Sequence, residues 1–170
     1  MGWAWLIILL ATYPWLLAAD LAGDTLASSS LVVFVSGACL IAPCRRLKRW
    51  QCVLFAAALG FLFEARRPIP DGALALTLVA VAIYLSSNRS LLRSTPRMLQ
   101  GAAIVNVGAC LVWYLAAAFA SDAPSAGAAG HLFGQLLLAG VLGAIGLVPV
   151  ALTQNAVMDR TGVPPAPELP

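Results

Sequence analysis

Charge is what this chain of 170 residues has least of: charged side chains make up 10% of it, and histidine occurs once. A water-soluble domain carries about 25% charged residues, enough to cover its surface. Here 61% of the residues are hydrophobic and the mean hydropathy is +0.91, which leaves too little polarity for an aqueous exterior. A disordered chain would need the opposite balance, and a secreted disulfide scaffold would need far denser cysteine. The four cysteines, Cys39, Cys44, Cys52 and Cys110, form no C-x-x-C pair, and His131 is remote from them. The close ligand spacing of a zinc site is therefore missing, and in a reducing compartment the thiols read as small buried hydrophobes. No G-x-S-x-G or H-E-x-x-H is present. A nucleophile needs an orienting base and a metalloenzyme needs ligands, so the expectation is a non-enzymatic protein with no cofactor and no metal.

Basic residues are also missing from the first 44 positions. Leu17-Ala18-Ala19 has the small-residue look of a cleavage site, but a secretory signal starts with a positive segment. The first apolar segment is therefore expected to stay in place as a membrane anchor, bracketed by Trp3, Trp5, Tyr13 and Trp15 at the interface.

What the chain does have is apolar length. A spanning helix takes about 20 apolar residues. Six segments qualify or nearly so: 3–19, 26–43, 50–63, 72–87, 98–120 and 131–152. Backbone amides in lipid must be satisfied within the segment, and none shows the alternation of a barrel strand, so all are read as helices. The predicted fold class is all-α, a polytopic bundle of six transmembrane helices in one domain over 1–160. The Pro-rich 161–170 forms a tail. The third segment is short and could be re-entrant.

The sparse charges decide that point. Arg45, Arg46, Lys48 and Arg49 lie between the second and third segments, Arg89, Arg93 and Arg97 between the fourth and fifth, and Arg160 after the sixth. With six crossings these residues share one side, and only Arg66 and Arg67 fall on the other. That is the positive-inside pattern, with both termini cytoplasmic. The arginines and the lysine set topology and meet the lipid headgroups, so the net charge of +3 carries no suggestion of nucleic acid.

No ionisable residue falls near the middle of a segment, which argues against coupled ion transport, since pumps and carriers place such groups there. The polar residues within spans are neutral: Asn106 mid-span, with Gln100 and Gln135 nearer the ends. Amides of this kind hold helices together. Gly140 and Gly143 belong to a small-residue face on the sixth segment, which suits either packing inside the bundle or a groove for a partner helix. Pro149 is expected to kink that helix and free a carbonyl for a neighbour such as Gln154.

One stretch stands apart: Gly60-Phe61-Leu62-Phe63-Glu64, then Ala65 through Ile69, then Pro70-Asp71-Gly72. A glycine, a few apolar residues and an acid precede a proline turn built on Pro68 and Pro70. An Ala/Leu-rich helix ending in Tyr84-Leu85 follows. This arrangement resembles the rod shape-determining membrane protein family MreD, with Glu64 where aspartate is usual and Pro70 where glycine is usual. The length, the six spans and the closing Asp159-Arg160 are similar too. The resemblance implies a scaffold subunit of the bacterial cell-elongation complex in the inner membrane. It would bind an MreC-like protein and, through it, an MreB-like filament and the peptidoglycan synthases. Residues 60, 64, 68, 70, 71 and 72, with Gly140 and Gly143, are the candidate partner contacts. The family's fold is similar to the substrate-binding subunits of energy-coupling-factor vitamin transporters, and such a subunit is the alternative reading.

Overall fold

A computed structural model describes residues 2–26, 32–65, 72–120 and 128–164. The described chain is all-helical: α1 (Ala4–Thr25), α2 (Ser36–Arg46), α3 (Arg49–Glu64), α4 (Ala73–Ser87), α5 (Thr95–Ala120) and α6 (Ala128–Arg160), with a 3-10 turn at Arg89–Leu92. Three of these helices, α1, α5 and α6, are long and apolar enough to cross a membrane, while α4 is apolar but shorter.

α2 is the axis of the molecule. Every residue from Ser36 to Cys44 is buried, and α1, α3, α4, α5 and α6 all pack against it. Its apolar character runs all round because it has no solvent-facing or lipid-facing side. Phe34, Leu40, Ile41, Phe55, Leu59, Leu78 and Met158 are among the largest fully buried side chains of the core. The outer faces carry the opposite signature. Leu10 and Leu21 on α1, Ile104 on α5, and Phe133, Ile145 and Leu152 on α6 are all exposed. Large apolar residues turned outward along the longest helices suit a lipid environment.

Three of the expected boundaries need correction. The segment 26–43 was expected to be one helix, but residues 32–35 have no helical structure and the helix begins at Ser36. Val32-Val33-Phe34-Val35 is as apolar as a helix, so hydropathy does not separate the two conformations. α1 runs six residues past Ala19, to Thr25. α6 runs to Arg160, well past Leu152, with Pro149 inside it. In both cases the polar residues end the lipid-like run without ending the helix.

Candidate functional site

The motif residues Gly60, Glu64 and Gly72 meet in one place, the clasp between α3 and α4. Gly60 and Glu64 lie one turn apart on α3 and so share a face. A Cβ at position 60 would stand 2.7 Å from the Ala75 backbone nitrogen and would overlap its Cα, so the two helices touch backbone to backbone here. Glu64, 4% exposed, then reaches over the start of α4. Its Oε2 accepts the Gly72 N–H at 2.8 Å, and its Oε1 accepts the N–H groups of Leu74 and, at 3.0 Å, Ala75.

Those donors are the orphan amides that every helix start presents. Gly72 occupies the cap position with φ 95°, a left-handed conformation that favours glycine, and it has no side chain to offer. Glu64 of the preceding helix supplies the missing cap. Its negative charge at a helix N-terminus contributes up to about 2 kcal/mol when partly buried. Three charge-assisted hydrogen bonds offset the cost of burying the carboxylate. Pro68, Pro70 and Asp71 lie outside the described residues, as do Arg66 and Arg67.

A second cluster, built on Asn106, organises the centre of the bundle. Its Oδ1 accepts the Gly37 N–H at 2.6 Å and the Ser36 hydroxyl at 3.2 Å. Its Nδ2 donates to the carbonyls of Phe34 at 2.6 Å and Ala139 at 3.1 Å. One amide thus caps α2, satisfies the non-helical chain before it and ties in α6. Buried non-helical backbone is tolerated where its polar groups find partners within the protein. Glycines bring the elements this close. A Cβ at Gly37 would stand 2.9 Å from the Ala102 carbonyl carbon, and one at Gly143 would stand 2.7 Å from its oxygen. Gly143 therefore packs against α5, and Gly140 faces the Val107 side chain.

Gln154 forms a third cluster, and a different proline from the expected one explains it. Its Nε2 donates to the Thr12 hydroxyl at 2.9 Å and to the Cys39 carbonyl at 2.8 Å. Pro43, four residues after Cys39, has no N–H for that carbonyl. Gln154 does complete a proline-broken ladder, but the one in α2 rather than the one at Pro149.

The basic residues converge at the other end of the molecule from the Glu64 clasp. Arg46 pairs with Asp159 at 2.6 Å and donates to the Val163 carbonyl at 2.8 Å, and Arg89 donates to the carbonyl of Leu47. The Arg45 guanidinium lies against the Met98 sulfur. The α2–α3 turn with Lys48 and Arg49, the α4–α5 turn with Arg93 and Arg97, and the end of α6 are thereby joined.

Gly37, Pro43 and the roles of Asn106 and Gln154 as caps are not visible as a local motif. The one local signal is the Cys39–Pro43 spacing, which marks a carbonyl in need of a donor. Among the described residues, no three His, Cys, Asp or Glu side chains gather as metal ligands. Compared with protein-family models, curated proteins and solved structures, the chain matches none.

Proposed function

We propose that this protein is a non-enzymatic scaffold subunit of the bacterial inner membrane, with six crossings and both termini in the cytoplasm, working in the cell-elongation complex through an MreC-like partner. The observation that carries this reading is the clasp. The residues that resemble the MreD pattern, Gly60, Glu64 and Gly72, act together in shaping one hairpin, and the Glu64 oxygens are committed to backbone donors. The Asn106 amide and the Gln154 Nε2 likewise join helices.

Six crossings are compatible with the short elements. α2 is about 16 Å long, and the four non-helical residues 32–35 add at most about 13 Å, against the roughly 30 Å of a hydrocarbon core. Gathering the basic turns at one end also fits a single cytoplasmic face. The α3–α4 turn and α6 remain the candidate contacts. With Gly143 turned toward α5, a partner's membrane helix would meet the apolar row Phe133, Leu137, Val141, Ile145 and Leu152.

Co-expression with an MreC-type protein and purification in mild detergent tests the proposal. Stable co-elution is the expected result, and repeated failure to associate overturns it. The transporter-subunit alternative needs a ligand site, and the cavity of about 540 Å³ between α4 and α5 has the size of one but mainly apolar walls. A stoichiometric vitamin retained through purification would select that reading.

A further inference from the structure

The 3-10 turn joins α4 to α5, and the 540 Å³ cavity lies between the two helices. Leu78, Val81 and Leu85 line one wall, and Ile104, Val105 and Ala109 the other. The cleft opens sideways, because Ile104 on its rim is 71% exposed and Tyr84 is 60% exposed. Charge is confined to one end, where the exposed Arg97 stands at the mouth with the exposed Gln100. Neither has a hydrogen-bond or ion-pair partner among the described residues. The connection from Asn88 to Arg97 holds three arginines and no acid.

The dimensions match one half of a bilayer. From Arg97 to Ala109 the helix rises about 18 Å, against about 15 Å of hydrocarbon in a single leaflet. A soluble metabolite would call for free polar groups along the walls, whereas the one hydroxyl at the far end, that of Thr77, is spent on the Ala73 carbonyl of its own helix at 2.8 Å. An amphiphile with a negative head and a long apolar tail meets both conditions.

We propose that the α4–α5 cleft holds one anionic phospholipid. One of its acyl chains lies between Val81 and Val105, and its phosphate is held at Arg97 and Gln100 in the positive field of the α4–α5 turn. This site is separate from the Glu64 clasp and from the outward row on α6, and it does not depend on the identity of a protein partner.

Native mass spectrometry of the full chain in detergent, with equal amounts of phosphatidylglycerol and phosphatidylcholine added, tests the proposal. One phosphatidylglycerol per chain should be retained in clear preference. Arg97→Gln should reduce that preference about fivefold, the scale of one basic residue at an anionic surface. Gly108→Leu should abolish retention. Gly108 lines the cleft, and a Cβ there meets no atom within 4 Å, so the added side chain starts in open space. Val81→Phe fills the same space from α4 and replaces Gly108→Leu if that variant does not fold. Equal binding of the two lipids overturns the proposal, as does full retention in both filled variants. A dimer without lipid would assign the cleft to a second copy, and a bound soluble molecule would assign it to a metabolite. Either result also overturns the proposal.

Discussion

The side-chain amide of Gln154 on α6 takes the Cys39 carbonyl that Pro43 leaves without a helical donor, 2.8 Å away. A proline inside a short helix and a polar side chain inside an apolar one thus meet in a single contact, although the Gln154 Oε1 is itself buried with no hydrogen-bond partner among the described residues. Gln154→Leu should destabilise the protein by about 1–3 kcal/mol, the cost of an unpaired buried carbonyl. Pro43→Ala restores a backbone donor to Cys39. In the double variant the loss from Gln154→Leu should therefore shrink by about 1 kcal/mol, read as a coupling in a thermodynamic cycle of unfolding in detergent.

Asn106 makes four hydrogen bonds, to Ser36, Gly37, Phe34 and Ala139. Asn106→Leu should cost about 3 kcal/mol or more, because several backbone groups lose their partners at once. Hydrogen exchange should show increased opening at Gly37 and Ala38 before the rest of α2, the mark of a lost cap rather than of general loosening.

The α3–α4 clasp makes a steric prediction and a polar one. Gly60→Ala forces the two backbones apart and should cost about 1–3 kcal/mol by overpacking. Glu64→Gln turns an amide donor toward one of the N–H groups that the carboxylate now accepts, and it should cost about 1–2 kcal/mol. Glu64→Ala should cost more than Glu64→Gln. Thermal unfolding in a single detergent ranks the three.

Arg46 joins α2 to the end of α6 and to residues 163 and 164. Asp159 is 66% exposed, so its ion pair with Arg46 is worth at most about 1 kcal/mol. Arg46→Gln also removes the carbonyl contacts. Limited proteolysis should then release the C-terminal segment faster in Arg46→Gln than in Asp159→Asn, with little change in overall stability.

Topology can be read by labelling introduced cysteines, since all four natural ones are buried. Arg93→Cys should react only after the membrane is permeabilised, and Asp122→Cys should react in intact cells. The reverse pattern would invert the proposed orientation.

Hydropathy was sufficient for the membrane class and for α3, α4 and α5, whose limits fall within a few residues of the expected ones. It failed where apolar composition and helical conformation part company. Val32 to Val35 is apolar and not helical, while Asp20, Asp24 and Asp159 are charged and helical. The cap that permits the break at Val35 comes from Asn106, which lies far along the chain from Gly37, so no local pattern announces it. The Glu64 clasp was more legible because its parts lie within 16 residues of one another, from Gly60 to Ala75. Even there the resemblance located the residues, and only the geometry assigned each its task.

The dependence of α2 on Asn106 sets an order on biogenesis. The two partners are 69 residues apart in the chain. At roughly 5–20 residues per second, the start of α2 waits about 3–14 seconds for the side chain that completes it. Throughout that interval an 11-residue helix with an uncapped end lacks α6 and most of α5 as neighbours. The axis of the finished molecule is thus among the first parts synthesised and among the last to be secured. A nascent chain halted before α5 emerges is the form most dependent on the insertion machinery for shelter.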